Sequence, residues 1–199
     1  MDNIMIAATQ NKGKLKELRA ITEKYGLALL SMADAGLADL DIEETGETFA
    51  ENSFIKASTV ANLTGKPCIA DDSGLCVDFL GGAPGIHSAR YSGVHGDDQA
   101  NRDKLLADLE GVPEEKRAAH FTCCITLCWP NGRKLVAEGR VDGRIAFEEM
   151  GEGGFGYDKV FIPEGCDTSF AALGVDVKNR IGHRARALAK LEELLENQA

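Results

Sequence analysis

The stretch AAHFTCCITLCWPNGRKLVAEGRV, residues 118–141, decides the fold. Its first part, Ala118–Trp129, is rich in β-branched, aromatic and cysteine residues, which is typical of a buried strand. The sequence Pro-Asn-Gly-Arg at 130–133 is a strong hairpin signal, because Asn-Gly favours the backbone of a tight turn. Residues Lys134–Val141 are therefore predicted to return as the second strand of a hairpin.

The rest of the chain alternates strand-like and helix-like segments, which indicates crossover connections. The predicted strands are Asn3–Ala8, Leu27–Leu30, Cys68–Ala70 and Lys159–Ile162. The predicted helices are Lys14–Tyr25, Glu47–Leu63 with Thr45 or Thr48 as its cap, Asp97–Leu109 and Gly182–Glu196. Because hairpin and crossover signals both occur, we predict an α/β fold with a mixed sheet. The 199 residues contain no linker or internal repeat, so we expect a single domain.

The chain is acidic, with 32 Asp and Glu against 22 Lys and Arg and a formal net charge of −10. This balance argues against nucleic acid as a partner, because binding a phosphate backbone requires a surplus of cations. The opening residues carry Asp2 where a signal peptide would be basic, and no apolar run reaches about 18 residues. We therefore expect no membrane association.

The six cysteines lack the paired spacing of a disulfide framework, which indicates a reducing, cytoplasmic setting. Three of them, Cys123, Cys124 and Cys128, lie in the first strand of the predicted hairpin. No second ligand pair follows them, so buried core thiols are favoured over a zinc site.

A polar segment connects the first predicted strand to the first predicted helix, where backbone N–H groups and the helix dipole favour an anion. Its residues are Thr9, Gln10, Asn11, Lys12, Gly13 and Lys14. The segment lacks the glycine run and the Lys-Ser/Thr ending of a Walker loop. It predicts either a phosphate site or a plain capped helix with solvated lysines.

Two acidic groups are candidate sites for a hard cation, which prefers oxygen ligands. Asp71-Asp72-Ser73-Gly74 directly follows a predicted buried strand, at the strand end where ligands bind in open α/β folds. One of these acids could also deprotonate a water, and adjacent residues of an extended chain point to opposite sides. The second group, 43–47, precedes the helix that carries Lys56. The alternatives are an acidic turn and a set of acids that complement a helix dipole.

Two later segments combine features of a ligand site. Residues 153–158 place Phe155 and Tyr157 among glycines, so a flat ligand could approach the backbone and stack on a ring. Lys178–Arg184 gathers cations at the predicted start of the last helix, where the dipole favours acids and an anionic ligand would remove the conflict. A tight bend around a buried Phe and a solvated basic turn are the simpler readings.

These segments taken together resemble the inosine triphosphate pyrophosphatase family, whose bacterial members are dITP/XTP pyrophosphatases. The resemblance runs from about Ile6 to about Leu195, and it rests on six segments. They read TQNKGK at 9–14, EETGETFAENS at 43–53, ADDSGL at 70–75, LGGAPGIHSARY at 80–91, GGFGYD at 153–158 and KNRIGHR at 178–184. The resemblance implies an elongated mixed sheet with two lobes around a central substrate cleft, usually in a homodimer. The implied activity is Mg²⁺-dependent hydrolysis of non-standard purine nucleoside triphosphates to the monophosphate and pyrophosphate.

The resemblance also implies roles for individual residues. Asp72 would be the general base and would hold Mg²⁺ together with Glu43, for which the adjacent Glu44 is the alternative. The implied substrate contacts are Thr9, Gln10, Asn11, Lys12, Gly13, Lys14, Lys56, Ser73, Phe155, Gly156, Tyr157, Asp158, Lys178, His183 and Arg184. Among them, Lys14 and Lys56 would face phosphates, Phe155 would stack on the purine, and His183 or Arg184 would donate to its O6 atom.

Two other functions remain as alternatives to this one. A haloacid-dehalogenase-type phosphatase also places an Asp after a strand, but its chemistry needs two Asp separated by one residue. Here Asp71 and Asp72 are adjacent. A nucleotide-sensing module would bind the same ligand without turnover, and an acid pair accompanied by several cations argues against it.

Overall fold

The computed structural model describes residues 4–23 and 26–197 of the chain. Within them, the strands are β1 (Ile4–Ala7), β2 (Ala28–Ser31), β3 (Cys68–Val77), β4 (Ala118–Cys128), β5 (Lys134–Ile145) and β6 (Phe161–Pro163). The α-helices are α1 (Lys12–Thr22), α2 (Phe49–Thr64), α3 (Asp98–Asp108), α4 (Phe170–Leu173), α5 (Val175–Ile181) and α6 (His183–Glu196). Short 3₁₀ helices span Asp78–Leu80, Gly85–Arg90 and Glu114–Lys116.

The six strands form one mixed sheet in the order β2-β1-β3-β4-β5-β6. The first strand is parallel to both of its neighbours, with Ile6 opposite Leu30 of β2 and Cys68 of β3. The last pair is antiparallel, with Arg144 of β5 opposite Ile162 of β6. The prediction of an α/β fold with a mixed sheet is therefore confirmed.

The chain divides into two compact units, each assembled from segments that are distant in sequence. Unit 1 comprises the chain up to Asp72, Cys123–Gly139 and the chain from Arg184 onward, and unit 2 comprises Ser73–Thr122 and Arg140–His183. In unit 1, residues of α1 and α6 such as Leu18 and Leu188 pack on β1, β3 and β4. In unit 2, α3 packs with β4, β5 and β6 around an aromatic cluster. The single domain, the elongated shape and the cleft between lobes stay predictions.

The start of α2 is held by a reciprocal capping box. The Glu51 N–H donates to Thr48 Oγ1 at 3.1 Å, and Glu51 Oε2 accepts from the Thr48 N–H at 3.1 Å. Thr48, and not Thr45, is therefore the cap of this helix. Gly46 lies against the same turn, where a Cβ would come within 2.6 Å of Glu51 Cβ. This close approach ties the acidic segment 43–47 to the first turn of α2.

Three predicted elements are wrong in ways that affect the site. The third strand does not end at Ala70 but continues through Asp71-Asp72-Ser73-Gly74 to Val77, so the two acids lie inside a strand. The predicted strand Lys159–Ile162 is Phe161–Pro163, because Tyr157 accepts backbone hydrogen bonds from Val160 and Phe161 in a turn. Lys178 belongs to α5 and not to the start of the last helix, because Gly182 leaves the helical conformation between them.

The remaining predicted elements agree with the structure to within a few residues, although Asn3 and Tyr25 lie outside the described residues, whereas α4 and the three 3₁₀ helices were not predicted. The hairpin between β4 and β5 forms at Pro130–Arg133, where the Trp129 N–H donates to the Arg133 carbonyl at 2.9 Å. Cys123, Cys124 and Cys128 are buried free thiols in β4, in agreement with the prediction of core cysteines. Among the helices of residues 4–23 and 26–197, none combines the length and apolar character that a membrane span requires.

The capping box makes α2 sensitive to a single hydroxyl. We expect Thr48→Ala to lower the free energy of unfolding by about 1 kcal/mol, because the Glu51 N–H loses its acceptor. Urea unfolding followed by circular dichroism measures this as a lower midpoint at unchanged slope. Thr59→Ala, the same change in the middle of α2, is the control, and it should be neutral or mildly stabilising because Ala favours a helix interior. Equal effects of the two changes would contradict the role of the cap.

Candidate active site

The pleat of β3 sends the side chains of its two adjacent acids to opposite faces, as predicted for an extended chain. Both carboxylates are buried, with 1% exposure for Asp71 and 6% for Asp72. The two side chains have different partners, and each set comes from unit 1. Two carboxylates of one strand are therefore placed in separate environments.

The carboxylate of Asp71 is enclosed by two cations and a thiol. Its Oδ1 lies 2.6 Å from Lys14 Nζ, its Oδ2 lies 3.2 Å from Arg184 Nε, and Oδ2 also accepts from the Cys123 thiol at 2.7 Å. Burial alone would raise the pKa of Asp71, but the charge of Lys14 and the thiol hydrogen bond outweigh it and the pKa is lowered. Burial and the neighbouring carboxylate raise the pKa of Cys123 well above its usual value. Asp71 is thus a permanent anion and Cys123 a neutral donor.

Arg184 extends this cluster to a second buried acid. Its Nη1 is hydrogen-bonded to Oε2 of Glu17 from α1. The Arg184 side chain is buried, with 2% exposure of the residue. Burial lowers the pKa of Arg184 to about 9, which leaves the guanidinium protonated at neutral pH. Two carboxylates, Glu17 and Asp71, therefore balance two cations, Lys14 and Arg184, in the interior of unit 1.

Asp72 has a different environment, with one carboxylate oxygen engaged and one not. Its Oδ1 lies 3.2 Å from Lys56 Nζ, whereas among the described residues its Oδ2 is buried with no hydrogen-bond partner. Burial raises the pKa of Asp72, and the neighbouring Lys56 opposes that rise. A basic carboxylate with an uncommitted oxygen can accept a proton from water or bind a cation.

Lys56 is shared between two carboxylates. Its Nζ lies 2.6 Å from Glu44 Oε1, in addition to the contact with Asp72. Burial alone would lower the pKa of Lys56, but the charges of Asp72 and Glu44 outweigh it and the pKa is raised. Lys56 therefore remains a cation beside Asp72 at every physiological pH.

The two glutamates before α2 differ in whether their carboxylate is paired with a cation. Glu44 is paired with Lys56, whereas Glu43 is exposed and its carboxylate has no partner among the residues that the structure describes. The backbone nearby is held by Asn52, which is buried and accepts from the Gly46 N–H at 2.8 Å. Glu43 is thus the carboxylate of this pair that is available to a metal ion.

The segment before α1 forms a helix start that is held by its own side chains. The Lys14 N–H donates to Asn11 Oδ1 at 3.1 Å, and the Asn11 N–H donates to Thr9 Oγ1 at 3.2 Å. Gln10 extends elsewhere, since its amide donates to the Leu40 carbonyl at 2.9 Å. The other two residues of the segment, Lys12 and Gly13, begin α1. The first turn of α1 contains no acid, so nothing in it opposes an anion.

In unit 2, the glycine-rich segment 153–158 is folded around the pair Asp158 and Lys178. Asp158 Oδ2 accepts from the Phe155 N–H at 3.0 Å and from Lys178 Nζ at 2.7 Å, and Asp158 is 1% exposed. Lys178 Nζ also lies 4.2 Å from the centre of the Phe155 ring. Gly154 allows this packing, because a Cβ there would lie 2.7 Å from Asp158 Cβ. Phe155 is half-buried and is the aromatic residue of the segment that a ligand could reach.

The remaining predicted contacts are mostly internal. Tyr157 is buried and its hydroxyl donates to the Ser88 carbonyl at 2.9 Å. His183 is buried with its ring stacked on Phe121 at 4.7 Å between centres. Ser73 is half-buried in β3, directly after Asp72. Direct contact of Tyr157, Ser73, His183 or Arg184 with a substrate stays a prediction.

Sequence reasoning missed several contacts that hold the site together, including those of residues that it had named for other reasons. They involve Glu17 and Cys123 around Asp71, Glu44 on Lys56, and Asp98 and Arg102 of α3, which contact Gly156. The helical pattern of α1 could have pointed to Glu17, because it lies next to Leu18 on the side of the helix that is buried. Nothing in the local sequence distinguishes Asp98 or Arg102 from ordinary surface residues of a helix.

Two carboxylates of unit 1, Asp72 and Glu43, have the donor chemistry that a magnesium ion prefers. Across residues 4–23 and 26–197, no three His, Cys, Asp or Glu side chains form a group that could hold a metal alone. Mg²⁺ does not need such a group, because it keeps several waters and is bound by one or two carboxylates plus substrate phosphates. The uncommitted Oδ2 of Asp72 and the unpaired carboxylate of Glu43 are oxygen donors of the required kind.

Comparisons with known proteins agree with these features. The model of the Ham1 family matches residues 5–194. A dITP/XTP pyrophosphatase of Bacillus licheniformis is 49% identical over 192 residues, which cover 96% of this chain and 97% of the relative. A dITP/XTP pyrophosphatase of Streptomyces avermitilis is 51% identical over 188 residues, 94% of each chain. The solved structure of the Ham1 protein of Staphylococcus aureus has a TM-score of 0.86 at 38% identity and covers 98% of this chain and 100% of that one. The chain therefore belongs to the Ham1 family, with dITP/XTP pyrophosphatases among its relatives.

Proposed function

We propose that the chain hydrolyses non-standard purine nucleoside triphosphates (dITP, XTP and ITP) to the monophosphate and pyrophosphate, which removes them from the nucleotide pool. The observation that carries this proposal is the buried carboxylate of Asp72. Its Oδ1 contacts Lys56, and its Oδ2 has no hydrogen-bond partner among the described residues. That arrangement supplies a base and a cation side by side, which hydrolysis of a phosphoanhydride requires.

The reaction follows from the charges of unit 1. A water attacks the α-phosphorus while the Asp72 carboxylate accepts its proton, and the bond between the α-phosphorus and the bridging oxygen breaks. The electron pair of that bond leaves with pyrophosphate. Lys56 stabilises the charge that develops on the phosphates, and Asp71 holds Lys14 at the start of α1 for the same purpose.

We propose that Glu43 and Asp72 hold Mg²⁺, with Glu44 reserved for Lys56. When bound, the ion would neutralise phosphate charge and polarise the reacting phosphoryl group. The oxygen donors and their uncommitted electron pairs support this choice. Glu44 would then be a positioning residue for Lys56 and not a metal ligand.

Base selection is assigned to the segment 153–158 and to the residues that follow Lys178. Phe155 offers the stacking face, and donors directed at O6 would reject adenine, whose amino group is itself a donor. Rejection of guanine requires exclusion of its 2-amino group as well. His183 and Arg184 remain the candidate O6 donors, although both are buried in contacts within the protein.

The two alternative functions have less support. A haloacid-dehalogenase-type phosphatase requires a nucleophilic Asp, but Asp71 is fully buried between two cations and a thiol. A nucleotide sensor would have no use for a base with a free, buried oxygen. The family resemblance also supports a cytoplasmic location and a homodimer, and sedimentation of the purified chain can test the dimer.

The first test is a panel of substrates. We expect pyrophosphate from dITP, XTP and ITP, only with Mg²⁺, and roughly a hundredfold lower kcat/KM with ATP and GTP. Chromatography that separates pyrophosphate from orthophosphate identifies the bond cleaved. Orthophosphate as the product would favour the phosphatase, and binding without hydrolysis would favour the sensor.

A second prediction concerns Asp72 itself. Asp72→Asn keeps the shape of the side chain but removes the base, so we expect kcat for dITP to fall at least about a hundredfold. The unfolding midpoint and calorimetric binding of the triphosphate without Mg²⁺ should change little, whereas the Mg²⁺ requirement should rise because a ligand charge is lost. Asp78→Asn, at an exposed acid just after β3, is the matched control and should keep full turnover. Retention of most activity in Asp72→Asn would exclude Asp72 as the base.

The adjacent glutamates provide a matched pair for the metal site. Glu43→Gln should raise the Mg²⁺ concentration for half-maximal activity about tenfold, because a ligand charge is lost. Glu44→Gln should leave the Mg²⁺ requirement nearly unchanged and raise KM for dITP, because Lys56 loses a carboxylate that holds it. Magnesium titrations at saturating dITP separate the two effects. The reverse pattern would make Glu44 the metal ligand.

A further inference from the structure

The peptide groups on both sides of Gly156 are held by two side chains of α3, all within unit 2. The Gly156 N–H donates to Asp98 Oδ2 at 2.7 Å. The Gly156 carbonyl accepts from Arg102 Nη1 at 2.8 Å. Gly156 has φ of +59°, a left-handed conformation that favours glycine. Two charged groups, one anionic and one cationic, thus clamp one residue of the glycine-rich segment.

Asp98 is not needed as the cap of its own helix. That role belongs to Asp97, whose Oδ1 accepts from the Ala100 N–H at 3.0 Å. Asp98 is the first residue of α3, and its carboxylate is directed to Gly156 instead. Two adjacent aspartates at one helix start therefore have separable tasks.

Arg102 is itself fixed by further contacts. It is 6% exposed, its Nε lies 2.6 Å from Glu149 Oε1, and its Nη2 donates to Gln99 Oε1 at 2.7 Å. Gln99 also donates to Glu149 at 2.9 Å, so the three side chains form a closed network. Because Nε and Nη2 of Arg102 are both bound, the planar guanidinium has one orientation, and in that orientation its Nη1 donates to the Gly156 carbonyl.

The residue next to this clamp is Phe155, which is held from its other side as well. Its N–H donates to Asp158, and its ring faces the ammonium group of Lys178. The backbone of Phe155 is therefore held by Asp158 on one side and by the clamp on Gly156 on the other, and its ring packs on Lys178. Loss of either support would free the backbone of Phe155, because the glycines around it restrict φ and ψ very little.

We infer that Asp98 and Arg102 are positioning residues for base recognition, which act by holding the peptide groups of Gly156 so that Phe155 presents its ring to the purine. The inference rests on the proposed function, since it assigns the base to the segment 153–158. It predicts that the clamp contributes to substrate affinity and to discrimination between bases, and little to the chemical step, which uses other residues.

The test compares Asp98→Ala with Asp97→Ala by steady-state kinetics on dITP and dATP. Asp98→Ala should raise KM for dITP about tenfold, leave kcat within about twofold, and reduce the preference for dITP over dATP. Asp97→Ala removes the helix cap, so it should lower the unfolding midpoint but leave KM and the preference unchanged. Asp98→Asn keeps an acceptor for the Gly156 N–H and should restore most of the affinity.

Arg102→Lys is the second variant, because Lys cannot reach Gly156 and Glu149 at once. It should raise KM in the same way as Asp98→Ala. An unchanged KM in Asp98→Ala and Arg102→Lys, or an equal rise in Asp97→Ala, would overturn the inference.

Calorimetric binding of XMP distinguishes this inference from the proposed function. A chain that binds XMP without hydrolysing dITP would contradict the proposed function, and weaker XMP binding by Asp98→Ala would still support the clamp. A wild-type chain that binds neither nucleotide would overturn both.

Discussion

The structure of unit 1 depends on one buried charge, the carboxylate of Asp71. An unpaired carboxylate in this position would be costly by several kcal/mol, so its partners must arrive together with it. They come from α1 as Lys14, from β4 as Cys123 and from α6 as Arg184. Asp71 therefore connects the start of α1 to strand β4 and to the last helix. Its role is to neutralise and orient, and its lowered pKa keeps it ionised while it does so.

The same strand geometry that gives Asp71 its partners leaves one oxygen of Asp72 without a hydrogen-bond partner among the described residues. One residue further along β3, the side chain points to the other face, where its Oδ1 lies 3.2 Å from Lys56 Nζ. Burial raises the pKa of Asp72 while the opposing cations lower that of Asp71, so two adjacent carboxylates have shifts of opposite sign. Such a division is the physical basis for assigning different roles to two identical groups.

Sequence patterns were sufficient for the mixed sheet, the hairpin and most helix bounds, and for the expectation that Asp71 and Asp72 would not share a task. They were insufficient for β3, because two carboxylates and a glycine are poor strand formers and only tertiary partners make them acceptable there. The contact between Asp71 and Arg184 joins residues 113 apart in sequence. Lys178 was misplaced for a related reason, since α5 is a short helix whose end at Gly182 interrupts a continuous basic pattern. Local spacing predicts elements, whereas the partner of a buried charge is a property of the assembled core.

A buried charge needs partners that neutralise it, whereas the glycine-rich segment 153–158 needs partners that restrain its backbone. Glycines let the backbone adopt left-handed turns and close approaches, but they provide no side chains to hold the result in place. Specific recognition of a flat base requires a ring fixed in position and orientation, so the missing restraint must come from elsewhere in the fold. In unit 2 it comes from Asp158 and Lys178 on one side of Phe155 and from α3 on the other. A helix that donates to and accepts from the peptide groups of one glycine restores the order that the segment lacks.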